Sequence, residues 1–237
     1  MIRLDKYLAD MGVGTRSAVK REIAQGKITV DGQVVKRPEL KLDPEGQQVC
    51  HLGTRLAYLQ FEYYMLNKPA GVVSATEDRR EKTVLDLIES RKRKDLFPVG
   101  RLDKDTEGLL LITNDGALAH RLLSPRKHVD KVYYAIIEGI VTETDVQLFK
   151  KGVNIGGEQP TREATLEILA VNRETNRSEI QLTIHEGIFH QVKRMFQAAL
   201  KEVIYLKRLS MGSLYLDETL GIGEYRELTD EELNKIC

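Results

Sequence analysis

The apolar pattern of this chain changes period near residue 60, and that change constrains the possible folds more than any other feature. Before it, Leu4, Tyr7, Leu8 and Met11 fall at i, i+3, i+4 and i+7, one face of a helix that Gly12 stops. Thr15 is placed to cap a second helix with a short stripe of Ala18, Val19 and Ile23, and Gly26 supplies its left-handed end. In ITVDGQVV, the pair Asp31-Gly32 between β-branched residues specifies a two-residue hairpin. Two helices and a hairpin make a small module over residues 1–56, and His51 to Gln60 reads as a linker.

From YYMLNKPAGVV onward strands outnumber helices, so residues 60–237 read as one α+β domain on a mixed, mainly antiparallel sheet with flanking helices. ATLEILAV and SEIQLTIH alternate apolar and polar residues around NRETNR, the pattern of an antiparallel hairpin. KVYYAIIEG is a further strand, and LLLIT before Asn114-Asp115-Gly116 is a buried strand running into a loop. Helices are predicted at TVLDLIESR, ALAHRLL and HQVKRMFQAAL, with Val192, Met195, Phe196, Ala199 and Leu200 on one face of the last. Thr229 and Glu232 form a capping box for a terminal helix.

Composition narrows the function. A chain of 237 residues with 41% apolar and 30% charged side chains can bury a core. It has no run of 18 apolar residues, and Arg3, Asp5 and Lys6 stand where a signal peptide needs an apolar stretch, so a cytoplasmic protein with no membrane partner is expected. Cys50 and Cys237 make a poor disulfide pair and offer no metal site. The net charge is zero, yet Arg79 to Lys104 is rich in cations and Glu218 to Glu232 in carboxylates, so one basic face remains possible.

The stretch GRLDKDTEGLLLITNDG delivers Arg101, Asp103, Asp105 and Glu107 just before the buried strand. Its opening mimics a calcium loop, but the twelfth position is Asn114 and an apolar strand replaces the ligand-bearing half. HEGIFH spaces its histidines five apart where a zinc helix needs four. No G-x-S-x-G elbow and no phosphate-binding glycine loop occurs. Metal hydrolysis, serine hydrolysis and nucleotide binding all lose their motif.

GRLD followed by K-D-T-E-G-L-L-L-x-T-N-D-G resembles the signature of the RsuA family of ribosomal RNA pseudouridine synthases. The likeness continues in LNKPAG at Leu66 to Gly71, KVYYA at Lys131 to Ala135 and EGIFHQVKRMF at Glu186 to Phe196. RLDKYLADMGVGTRSAVKREIAQGKITVDGQVV resembles the S-four-type RNA-binding module, which puts Arg16, Lys20, Arg21 and Lys27 against phosphates. A departure lies at Lys201, where the family usually has Gly, and it bears on a helix end.

The resemblance implies isomerisation of a uridine to pseudouridine with no cofactor and no metal. It makes Asp103 the essential carboxylate, acting covalently on sugar or base or by removing the ribose 2′ proton. Lys193, where relatives often have Arg, becomes its cation through a single ammonium contact. Tyr133 becomes the aromatic on the flipped base, although by its type alone it reads as a core strand residue. Arg101 would fill the gap that a flipped nucleotide leaves, and Lys68, His190, Gln191 and Arg194 would touch RNA. Asp105 and Glu107 read as structural hydrogen-bonding groups. The expected partner is 16S rRNA in a partly assembled small subunit, met by a monomer; 23S rRNA, or RNA binding without turnover, is the alternative.

Overall fold

The computed structural model describes residues 1–124 and 127–236, so the expectation concerning Cys237 lies outside the described residues. The chain divides into two compact units, Met1–Glu62 with Glu89–Leu96, and Tyr63–Ile88 with Phe97–Cys237.

In the first unit β1 (Ile2–Arg3) leads into α1 (Leu4–Asp10) and α2 (Arg16–Ala24), followed by β2 (Ile28–Val30), β3 (Gln33–Val34), β4 (Lys41–Leu42), β5 (Val49–His51) and β6 (Thr54–Leu56). Thr15 caps α2 by accepting from the Ala18 amide. Asp31 and Gly32 both take positive φ, 50° and 79°, as a primed hairpin turn requires. Leu4, Tyr7, Leu8, Val19, Ile23 and Ile28 fill the core. Residues 51–56 correct the linker expectation, because β5 and β6 pair as a hairpin on the sheet β3-β2-β5-β6. Glu89–Leu96 joins this unit because the buried Arg93 side chain bonds Asp95 at 2.7 Å, lies 3.4 Å from Asp10 and donates to the Leu59 carbonyl. Arg93 is therefore an internal strut and not part of a basic face.

The second unit contains β7 (Tyr63–Lys68), a single 3-10 turn at Val84–Leu87, β8 (Phe97–Pro98), β9 (Glu107–Thr113), α3 (Gly116–Leu123), β10 (Lys131–Glu138), α4 (Glu143–Lys151), β11 (Thr165–Asn172) and β12 (Arg177–Ile184). It ends with α5 (Gln191–Ala198), β13 (Glu202–Met211), β14 (Leu214–Tyr215), β15 (Tyr225–Glu227) and α6 (Asp230–Ile236). Its nine-stranded sheet runs β11-β12-β10-β13-β9-β7-β15, with β14 beside β13 and β8 beside β9. Among these pairings only β13 with β9 is parallel, over Lys207↔Glu107 and Arg208↔Gly108. Gly108 sits there with φ +97°, and a Cβ would run into the Arg208 carbonyl oxygen.

The helix predicted at TVLDLIESR shrinks to the 3-10 turn. Thr83 and Asp86 close a capping box around one turn, and Ile88 then leaves the helical region at ψ 86°. At the end of α5 the left-handed residue is Leu200, φ 57°, while Lys201 reaches Asp145 at 2.8 Å. The left-handed residue that follows the helix thus lies one position before Lys201, where Gly was expected. No described helix is long and apolar enough to cross a membrane.

Candidate active site

The loop from Leu102 to Thr106 is fixed before any ligand arrives. On one side Ser74 Oγ donates to the Leu102 carbonyl at 2.8 Å and accepts from the Leu102 amide at 3.1 Å. On the other, Lys68 Nζ donates to the carbonyls of Pro69, Lys104 and Thr106 at 3.0, 3.2 and 2.9 Å. The Gly71 amide adds a bond to the Lys104 carbonyl at 2.7 Å. Buried carbonyls that all have donors make a rigid loop. Burial of the Lys68 ammonium pulls its pKa down to about 8, against the opposing pull of Asp105, Glu107 and Asp103. That placement corrects the expectation that Lys68 touches RNA: its side chain is 0% exposed and every donor direction is used inside the protein.

The loop presents Asp103 to a cavity of about 600 Å³ that Arg101, Tyr133, His190 and Lys193 also line. Asp103 Oδ2 is 3.4 Å from Lys193 Nζ and its Oδ1 is 3.6 Å from His190 Nε2. The single contact expected for Lys193 is instead shared, since its ammonium lies 2.5 Å from Asp105 Oδ1. Burial, the largest single influence, raises the Asp105 pKa, but the Lys193 hydrogen bond and charge, a backbone hydrogen bond and His190 together hold this carboxyl below the usual range. Asp105 thus bonds Lys193 from an exposed position beside Asp103. Glu107 is structural, accepting from Tyr205 Oη at 2.7 Å.

The cavity floor is one face of the sheet. Tyr133 on β10 stands opposite Arg208 on β13, and Lys131, two residues before Tyr133, shares its face. Tyr133 is 7% exposed. Arg208 and Lys131 are buried cations that also border the cavity, with no carboxylate within ion-pair distance among the described residues. Burial, and then Arg208, pull the Lys131 pKa down. Sequence reasoning did not single these two out, and the only available signal was polar residues at inward positions of period-two strands.

The remaining expectations divide. Arg101 is exposed at the cavity and makes no ion pair among the described residues. Gln191 is buried, its amide bonding Glu186 Oε1 at 2.9 Å and its oxygen accepting from the Ile188 amide at 3.0 Å, which corrects its assignment to RNA. The Arg194 fork bonds the Ile155 and Phe189 carbonyls, so it braces the turn and does not reach outward. In the first unit Arg16, Lys20 and Arg21 are exposed along α2, whereas Lys27 pairs with Glu22 at 2.9 Å. Among the described residues no group of three His, Cys, Asp or Glu side chains could hold a metal ion.

A rigid loop that holds a carboxylate beside a cation and an aromatic at one cavity has the make-up of an enzyme site, and comparison with known proteins gives the family. Residues 62–198 match the family model for RNA pseudouridylate synthase, and residues 2–49 match that for the S4 domain. The chain belongs to the RNA pseudouridylate synthase family and is a pseudouridine synthase. It is 49% identical to an RNA pseudouridine synthase of Bacillus subtilis, over 98% of this chain and 97% of that one. It is 41% identical to the ribosomal small subunit pseudouridine synthase A of Salmonella typhimurium, over 99% of this chain and 100% of the relative. A crystal structure of a pseudouridylate synthase, 36% identical, superposes with a TM-score of 0.69 and covers 100% of both chains.

Proposed function

We propose that this enzyme isomerises one uridine of 16S rRNA within a partly assembled small subunit, without a cofactor, and that Asp103 is the carboxylate that acts on it. The observation that carries the reading is the meeting of Asp103, Lys193 and Tyr133 in one cavity whose size is within the range of small-ligand sites. In this reading the nucleotide swings out of the RNA, its base lies on the Tyr133 ring, and Arg101 enters the gap left in the stack. Asp103 then adds to the sugar or base, or takes the ribose 2′ proton, while Lys193 offsets its charge. Breaking the bond between C1′ and N1, turning the base and rejoining it through C5 needs no redox partner. The small-subunit target is supported by the full-length likeness to enzymes named for that subunit.

The test is Asp103→Asn with pseudouridine mapped on rRNA from cells that carry only the variant. Loss of one 16S pseudouridine, with RNA affinity retained, is the expected result. Full activity in that variant overturns the catalytic role, and loss of a 23S site instead overturns the target.

A further inference from the structure

The turn before α5 carries an aromatic pair that the reaction as described leaves unused. Phe189 is 67% exposed, an unusual position for a large apolar ring beside a polar cavity. It stacks on the His190 ring with centroids 3.7 Å apart and planes at 19°, which leaves one ring face open. Both residues occupy the centre of a turn closed by the Gln191 amide on the Ile188 carbonyl at 3.1 Å. His190 is held there at φ 52°, a left-handed conformation that a residue with a Cβ adopts at a cost.

The mounting is rigid. Gln191 clamps the Ile188 amide and is itself held by Glu186, while Arg194 bonds the Phe189 carbonyl. Backbone strain and partly buried hydrogen bonds therefore display the ring toward solvent, with His190 stacked against it. Phe189 and His190 line the same cavity as Asp103, and His190 Nε2 lies 3.6 Å from the Asp103 carboxylate. The cations Arg101 and Lys193 border it too, which suits a polyanion.

The geometry points to the Phe189–His190 stack as a second nucleotide subsite, a platform for the unpaired base next to the uridine that enters the cavity. A flat apolar face receives a nucleobase of any sequence by stacking. The occupant is the neighbouring nucleotide of the same RNA, because the platform continues the wall of the cavity that takes the target. A flipped uridine leaves its neighbour unstacked on one side, and Phe189 restores that stack. The inference rests on the reading that the target nucleotide enters this cavity.

The experiment uses the full-length enzyme and partly assembled small subunits reconstituted with 16S rRNA that is ligated from synthetic and transcribed pieces around the uridine identified by mapping. Two versions place 2-aminopurine, a base whose fluorescence is quenched by stacking, immediately 5′ or immediately 3′ of that uridine. In one of the two, fluorescence stays low in the wild-type complex and rises several-fold in the complex with Phe189→Ala. The same substitution raises KM roughly 5-fold to 100-fold, with a smaller effect on kcat. Phe189→Tyr restores both, which a purely structural defect in the turn would not explain. Equal fluorescence for wild type and Phe189→Ala in both labelled subunits overturns the inference, as does an unchanged KM. The Asp103→Asn variant keeps the readings separate: its complex retains the low fluorescence if the platform is right, whatever that variant shows about turnover.

Discussion

Replacing Lys68 by Met tests whether a buried ammonium holds the Asp103 loop. Met keeps most of the side-chain volume and removes all three hydrogen bonds, leaving the Pro69 and Thr106 carbonyls without this donor, while the Lys104 carbonyl keeps the Gly71 amide. Two stranded acceptors cost about 2–6 kcal/mol. Against that, the substitution relieves a buried charge. The drop in its pKa from 10.5 to about 8 corresponds to a penalty of about 3 kcal/mol. The two nearly offset, so the net change should lie between about −1 and +3 kcal/mol of lost stability, a fall in Tm of at most several degrees. Catalysis should suffer more, because a loop displaced by about 1 Å can lower kcat about 100-fold while RNA affinity hardly changes. Stability should also change with pH in a defined direction. Between about 8 and 10.5 the unfolded chain holds the Lys68 proton and the folded chain does not, so this group's contribution rises with pH across that window. Urea melts at pH 8 and pH 10, with single-turnover kinetics at neutral pH, measure both effects. A variant with wild-type kcat and a lowered Tm would refute the positioning role. An equal stability gain with pH in wild type and variant would refute the assignment of the titration to Lys68.

Other perturbations follow from the same structure. Lys193→Met removes the ammonium shared by Asp103 and Asp105, and kcat should fall at least 100-fold, whereas Lys193→Arg, whose fork can reach both carboxylates, should retain most activity in the same pseudouridine assay. Gly108→Ala forces a Cβ against the Arg208 backbone at positive φ, so a loss of about 3 kcal/mol or more is expected in urea melts, and near-wild-type stability would contradict the close approach of β9 to β13. Arg226 pairs with Asp217 and Glu232, and its hydrogen bond holds the Glu232 pKa down at about 2. That stabilisation is complete above the ordinary glutamate pKa and is lost as pH falls toward 2, so Arg226→Ala should flatten the acid limb of a stability-versus-pH curve.

The parts of this fold that were legible in the sequence are those decided within a few residues. Thr15, the Asp31-Gly32 turn and the Thr229 capping box each act on neighbouring backbone, and each stands where its residue type required. The alternation of β10, β11 and β12 was equally clear, because one sheet face is buried along most of β10 and β12. What escaped depends on partners distant in the chain. Glu89–Leu96 joins the first unit through Arg93 and Asp10, and no local pattern in a run of basic residues distinguishes a buried strut from a solvated surface. The predicted helix at TVLDLIESR had adequate period and propensity, yet its own capping box and the departure of the chain at Ile88 limited it to one turn.

Charged residues of the site show the same divide more sharply. Asp103 and Lys68 both belong to recognisable motifs, so their types and spacing suggested function with equal force. Their fates differ because a strand end opposite Gly108 buries Lys68 among three carbonyls, whereas the loop those carbonyls belong to leaves Asp103 at the cavity wall. A motif thus marks which residues are engaged by the site without saying which side of the backbone each serves. Phe189 is the opposite case: it lies inside EGIFHQVKRMF, yet the motif assigned it no role, and one is suggested only by exposure and a strained neighbour. Residues of a motif that turn inward should therefore respond to substitution chiefly through kcat and Tm, and those it leaves exposed at the cavity chiefly through KM, a separation that Lys68→Met and Phe189→Ala can be measured against in one enzyme.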